Sequence, residues 1–368
     1  MLLSYSRPMN YSTRLDALRR ALPRLKCDAL VISELTNIRY LCGFTGTAGM
    51  IVVTGNKAYF ITDFRYQSQA AEQVKPRYTT IIAARGLWKE AAKLLKKEKV
   101  ERVAFEAEHT SVAALEDITK LLKPAVLTAT KRVVEDLRLH KDAEEIAITR
   151  RAVAVIDECF DHICGVMQPG LSEREVSDEL SKAMRARGAS GPSFTTIVAS
   201  GLRSALPHGV ASDKVLEAGD LITIDMGAIV DGYCSDMTRT VCLGKPDRRQ
   251  QEIYEIVWRA QTEAAAALRP GLGCKAADAV ARKVIDDAGY GQYFGHGLGH
   301  GVGLNIHEQP RLSKLGKGKL APGMLVTCEP GIYIEGWGGV RIEDMLLITE
   351  TGAEVLTHAR KPRKIIAL

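Results

Sequence analysis

Asp225 and Asp236 are the first residues in this chain whose surroundings suggest chemistry. Asp225 sits in the run Leu221-Ile-Thr-Ile-Asp225-Met226, Asp236 precedes the strand-like Met237-Thr-Arg-Thr-Val241, and Asp231-Gly232 between them is a favoured two-residue hairpin turn. Such a turn sets Asp225 opposite Thr238 and brings Asp236 one diagonal step away on the same face. Two carboxylates so placed can share a cation or divide acid and base roles. The plainer alternative is a pair of exposed strand aspartates. Against it, Ile222, Ile224 and Met226 imply a largely buried strand, where unpaired carboxylates are costly.

Further on, every odd position of residues 295–303 is glycine, while His296, Leu298, His300, Val302 and Leu304 occupy the even ones. As a strand this has one bare face, open to close approach by another chain or a substrate, with both histidines on the other. Neither GxGxxG nor GxxxxGK[ST] can be read here, and five glycines without a Glu oppose the helical HExxH of a zinc protease. His307-Glu308 adds a third imidazole. Lone histidines are often structural, but this density of His and Gly favours a site. Glu329-Pro330-Gly331 and Arg341-Ile342-Glu343 then frame a Glu-Gly-Trp-Gly-Gly turn from Glu335, a second hairpin. Period-2 alternation puts Arg341 and Glu343 on one face and Val340 and Ile342 on the other. Taken singly, Glu329 could be a turn residue and Glu343 half of a surface ion pair with Arg341.

The elements that must position these residues repeat. Ile146, Thr149, Val153, Ile156, Phe160 and Ile163 trace one helical face stopped by Pro169-Gly170, and a capping box at Ser172 opens a second helix that Gly188 closes. Strand-like sequence covers residues 194–243. Helices over 247–268 and 275–288, ended by Pro270-Gly271 and Gly289, and strand-like sequence over 293–349 repeat the pattern. Residues 141–350 therefore read as two helix-helix-sheet halves with a site between their sheets. Before residue 140, strands at 29–32, 50–54 and 58–62 alternate with helices at 14–22 and 87–97, a small α/β domain. The charged stretch 131–140 reads as the linker.

Length and composition agree. At 368 residues the chain favours two domains, and 46% hydrophobic with 26% charged residues fits a globular protein rather than a disordered one. No apolar run approaches the roughly 20 residues of a membrane span, and Arg7 and Pro8 interrupt the start where a signal peptide needs an apolar stretch. No membrane partner is expected. The eight cysteines are scattered without a CxxC, which points to reduced thiols and a cytoplasmic location. The net charge of +6 is uneven: residues 1–140 carry 23 Lys and Arg against 14 Asp and Glu. Part of that excess, Lys93, Lys96, Lys97, Lys99 and Arg102, flanks Leu87, Ala91, Leu94 and Leu95 at helical spacing and reads as a solvated helix face. With no interleaved aromatics it does not suggest nucleic acid.

Asp225, Asp236, His300, Glu329 and Glu343 resemble, in order and context, the five metal ligands of the pita-bread metallopeptidases. Pro207-His208-Gly209, Asp225-x-Gly227, the Asp236-x-Thr238-Arg239 turn, His296-x-x-x-His300, His307-Glu308-x-Pro310, Glu329-Pro330-Gly331 and Arg341-x-Glu343 resemble the branch of aminopeptidase P and prolidase. Asn37-Ile-Arg-Tyr40 and Gly43-Phe-Thr-Gly46-Thr-Ala-Gly49 look like that branch's creatinase-type amino-terminal domain. Met9 is as good an initiator as Met1, and the residues before it resemble nothing in the family. The resemblance implies an α/β (α+β) chain: a creatinase-type domain over residues 1–135 and a pita-bread catalytic domain of two helix-helix-sheet halves over 136–368. It implies a homodimeric exopeptidase that releases the residue before proline from short peptides with proline in second place, as an Xaa-Pro aminopeptidase or dipeptidase. It casts Glu329 as the residue that takes and passes on a proton, His208, His296 and His307 as substrate-holding and oxyanion-stabilising groups, and Arg341 as orienting Glu343 or binding a carboxyl group. Four carboxylates are balanced by two divalent ions. One histidine among four acids favours Mn²⁺, with Co²⁺ or Zn²⁺ as alternatives. A creatinase-like C–N hydrolase without metal and a non-catalytic binding protein on the same fold are the competing readings, and both would be expected to have lost ligands. Residues 1–135 are expected to supply no catalytic group and to restrict what enters the site.

Overall fold

In the computed structural model, which describes residues 10–368, the chain divides into two compact units between Arg138 and Leu139. The choice between Met1 and Met9 falls outside the described residues. The first unit is a six-stranded mixed sheet in the order Thr79–Ala83, Ala58–Asp63, Met50–Thr54, Ala29–Ile32, Arg102–Glu106, Val126–Thr130. The three expected strands form its antiparallel centre. Three more strands are added in parallel at the sides. The helix Leu87–Lys97 buries Ala91, Leu94 and Leu95 against the sheet and leaves Lys93, Lys96 and Lys97 in water, as its spacing requires. The stretch expected as a linker includes a short helix, Glu135–Arg138.

The second unit has two halves. Helices Ala143–Val166 and Glu173–Ala186 precede a sheet in the order Ile366–Ala367, Met237–Cys242, Leu221–Met226, Ile197–Ser200. Helices Arg248–Ala267 and Cys274–Asp287 precede one in the order Glu308–Leu312, Gly299–Gly301, Leu325–Cys328, Asp344–Ile348, Ala353–Val355. Capping boxes at Asp142, Ser172 and Asp247 fix where three of the helices begin. Val257, Ala260 and Ala264 of one helix and Ala277, Ala281 and Ile285 of the next pack on Val326, Cys328 and Leu346 of the second sheet, all buried. That core holds rigid the strands that carry the cavity residues.

The two hairpins share a construction. In the first, Met226 pairs with Met237, the ladder is interrupted, and pairing resumes at Ile229 with Cys234 in the same register, so Gly227 faces Asp236 across the gap. Asp231 and Gly232 close it with φ of 46° and 82°, the left-handed pair the turn demands. In the second, Cys328 pairs with Asp344 and Gly331 with Arg341, leaving Glu329 facing Glu343 across an equivalent gap. Asp236 and Glu343 thus occupy corresponding positions in the two halves.

The glycine-rich segment forms a strand only over Gly299–Gly301, with a register shift after His300. Its bare side is filled by neighbouring protein. A Cβ on Gly299 would lie 2.2 Å from the Thr327 carbonyl oxygen, and one on Gly301 2.0 Å from that of Gln309. The glycines therefore let two strands approach His300 from behind. Gly301→Ala is expected to cost about 3 kcal/mol through this overpacking, read as a lower midpoint of denaturant unfolding. An unchanged midpoint would mean that the Gln309 strand gives way freely.

Candidate metal centre and active site

His208, Asp225, Asp236, His296, His300, His307, Glu329, Arg341 and Glu343 all line one cavity of about 660 Å³, and no lining residue precedes Phe194. Asp225 pairs with Thr238 across the first hairpin, as the turn requires, and the Asp236-x-Thr238-Arg239 phrase, expected as a turn, enters the strand Met237–Cys242. Asp236 and Glu343 are buried, at 4% and 2% exposure, which removes the surface-pair reading of Glu343. Thr238 Oγ1 donates to Glu343 Oε2 at 2.7 Å and accepts from Arg341 Nε at 3.0 Å. Arg341 itself pairs with Asp225 Oδ2 at 2.8 Å, so it touches Glu343 only through Thr238.

The histidines divide by hydrogen bonding. His300 Nδ1 lies 3.0 Å from the Gly301 carbonyl oxygen and must carry the proton there, which leaves the Nε2 lone pair outward, 3.5 Å from Asp236 Oδ2 and 3.4 Å from Glu329 Oε1. Burial holds His300 below the usual imidazole range, so it is neutral. His296 Nδ1 donates to the Gly297 carbonyl. The Tyr333 hydroxyl accepts from Arg341 Nη1 at 2.9 Å and donates to His296 Nε2 at 2.9 Å. Both nitrogens of His296 are thus engaged, which narrows its expected part in holding substrate. The rings of His208 and His307 make no hydrogen bond among the described residues, and the ring of His307 stands edge-on to His300 with centroids 4.5 Å apart.

A neutral nitrogen lone pair aimed at two ionised carboxylate oxygens is repulsive unless a proton or a metal ion lies between them. Asp225 Oδ1 is buried without a hydrogen-bond partner, and donor atoms of Asp236, His300 and Glu343 lie within 4.8 Å of one another. The residues present therefore fit divalent cations. Burial raises the Asp236 carboxyl well above its ordinary range, with Asp225 and Glu329 adding to the effect. It does the same to Glu343, helped by Asp236, and it also raises Glu329, where His296 and Arg341 oppose it. Raised folded values mean that these groups stabilise the metal-free protein when protonated. That stability is full below the unfolded values of about 4 and is lost as pH rises through the folded ones. A cation reverses the preference. The increase in melting temperature given by saturating metal is therefore expected to be large near pH 8 and to shrink towards pH 5; an increase independent of pH would place the ions elsewhere.

Sequence reasoning missed several contributors. Tyr333 has its room because Gly331 and Gly339 are bare where its ring passes, a signal readable as glycines at the two places flanking it in the hairpin. Thr327 donates to Glu329 Oε1 at 3.1 Å. Arg282, paired with buried Asp278, donates to the carbonyls of Phe294 and His296 and steadies the glycine-rich segment. Arg311 lines the cavity, and its guanidinium has no ion pair or hydrogen bond among the described residues.

An α/β unit followed by two helix-helix-sheet halves around an acid- and histidine-lined cavity is the pita-bread class with a creatinase-type amino-terminal domain. Residues 147–350 match Metallopeptidase family M24, and residues 14–140 match the Creatinase/Prolidase N-terminal domain. The chain belongs to metallopeptidase family M24, in its aminopeptidase P and prolidase branch. It is 44% identical to the Xaa-Pro dipeptidase from Bacillus anthracis, whose structure covers 98% of this chain and 100% of its own with a TM-score of 0.95. It is 40% identical to the Xaa-Pro dipeptidase of Pyrococcus furiosus, over 95% of this chain and 98% of that protein. The X-Pro aminopeptidase from Thermotoga maritima is 36% identical, with a TM-score of 0.88 and coverage of 95% and 100%.

Proposed function

We propose that this protein hydrolyses the bond between an amino-terminal residue and proline, with two divalent ions held by Asp225, Asp236, His300, Glu329 and Glu343. Asp236 and Glu343, in corresponding positions of the two halves, would each offer a carboxylate to the ions. Mn²⁺ suits one imidazole among four carboxylates, with Co²⁺ or Zn²⁺ as alternatives. The observation that carries this reading is the His300 lone pair facing Asp236 and Glu329 in a cavity that also holds an unpartnered carboxylate oxygen. When bound, the ions would polarise the scissile carbonyl and bring the attacking water towards neutrality in pKa. Glu329 accepts that water's proton and passes it to the leaving nitrogen. His208 and His307, whose rings are free to donate, stabilise charge on the carbonyl oxygen. The Tyr333 hydroxyl bonds both His296 and Arg341 and holds these two cavity residues in place, and Arg341 keeps Asp225 aimed.

Arg311 supports a dipeptidase within this reading, because an unpaired guanidinium in the cavity suits the free carboxylate of an Xaa-Pro dipeptide. Residues 1–135 are read as a non-catalytic domain and 136–368 as the catalytic one, in a cytoplasmic homodimer. The test is release of proline from Xaa-Pro against cleavage of Xaa-Pro-Yaa by the metal-loaded protein. Faster dipeptide turnover is expected, with Arg311→Gln raising the dipeptide KM roughly 10–100-fold, the worth of one charge-assisted bond. Preference for the longer peptides would make it an aminopeptidase, and inactivity on both would refute the proposal.

A further inference from the structure

His307 presents its ring to the cavity without a hydrogen bond among the described residues, so its direction depends on the edge of His300 and on the backbone turn that carries it. That turn is closed by the neighbouring carboxylate. Glu308 Oε1 accepts from the Asn305 amide at 3.0 Å, spanning His307, and both its oxygens lie 2.8 Å from where a Cβ on Gly303 would stand. The glycine thus leaves room for the carboxylate to lie on the backbone. The other oxygen, Oε2, is 3.4 Å from Lys141 Nζ. This pair is withdrawn from water: the Lys141 side chain is 1% exposed and that of Glu308 9%. Lys141 is the third residue of the second unit, and its backbone is pinned too. Its amide donates to the Gly323 carbonyl at 2.8 Å.

A buried ammonium is costly, and breaking a buried ion pair by removing one partner is costlier still. Here the partner is the residue next to His307, and no lining residue of the cavity is Lys141 itself. We infer that Lys141 is a positioning residue for the reaction. It holds the Glu308 carboxylate on the 303–308 turn and thereby aims the His307 imidazole at the substrate carbonyl. The inference rests on the peptidase reading above.

The test is a double-mutant cycle on the full-length, metal-loaded protein. Lys141→Met is expected to lower kcat on an Xaa-Pro dipeptide by about 10–100-fold, the scale for a displaced catalytic group, with KM and metal stoichiometry close to wild type. Lys141→Arg should recover most of the loss. In a His307→Ala background, Lys141→Met should cost less than about twofold more, because the group it aims is gone. A merely structural lysine would lower the melting temperature and act equally in both backgrounds. Should Lys141→Met fail to fold, Lys141→Met with Glu308→Gln removes both charges and is read in the same way. Wild-type kcat in the folded variant, equal losses with and without His307, or loss of metal would overturn the inference. Inactivity of the wild type itself would instead refute the peptidase reading.

Discussion

Asp236→Asn is expected to give a folded protein that has lost at least one of two metal equivalents and nearly all turnover. The carboxylate is buried, its approach to His300 is long, and its bond to the Met237 backbone amide is one that an amide oxygen can also accept, so the change should leave the strand in place. Burial raises its carboxyl, which means that the fold bears the charge at a cost. An amide of the same shape removes the cost, and the metal-free variant should melt no lower than metal-free wild type. Only the ions lose by the change. If it holds the ions directly, as proposed, Asp236 should matter more than an outer partner, whose loss costs roughly 10–100-fold in affinity or activity. Metal analysis of the purified variant with its rate on an Xaa-Pro dipeptide decides the matter. Chelation of wild type should abolish the same activity, and Mn²⁺ or Co²⁺ restore it. Two full equivalents of metal in the variant, or turnover by metal-free wild type, would falsify the assignment.

His208→Ala and His307→Ala should each lower kcat by roughly 10²–10³, the scale for losing one donor to a developing oxyanion, with metal content intact. Both rings reach the cavity with nitrogens uncommitted to protein. Burial, with His300 and Arg311 nearby, holds His307 below the usual imidazole range, which favours the neutral ring. The contrast is with histidines whose surroundings lie elsewhere. His109 rests on Glu135 and His162 on Glu179, His140 donates to a carbonyl, and the backbone of His358 caps Asp157. Alanine at these four should change kcat little. Loss of metal from either cavity variant would show that the ring is a ligand rather than a donor.

Period and turn chemistry made most of the catalytic half legible. The Asp231-Gly232 turn sets the first hairpin's register, and alternation sorts Arg341 and Glu343 from the buried Val340 and Ile342. Strands Thr79–Ala83, Arg102–Glu106 and Val126–Thr130 escaped notice because each is a short run without a hairpin partner, paired in parallel across long stretches of chain. The glycine-rich segment was legible as bare but not in what fills it, since Gln309 and Thr327 reach it only through tertiary pairing. Arg341 was legible as a partner of the site, yet its direct bond is to Asp225, 116 residues earlier, a separation that no local pattern encodes. Arg311 and Tyr333 carry no motif of their own and are recognised only by where their side chains end.

The matched interruptions of the two hairpins have a consequence for how such a centre could arise. Each half offers one acidic side chain, Asp236 or Glu343, at the same place in the same ladder, and Thr238 of one half bonds the carboxylate of the other. Neither half alone encloses anything. Two copies of one ancestral half facing each other would already bring a symmetric couple of acids to the axis between them. In the reading proposed above the remaining donors are unequal, His300 and Glu329 from one half and Asp225 from the other, so the two ions would sit in unlike seats. Unequal seats imply unequal affinities, so titration of the stripped protein with metal should fill in two resolved steps rather than one.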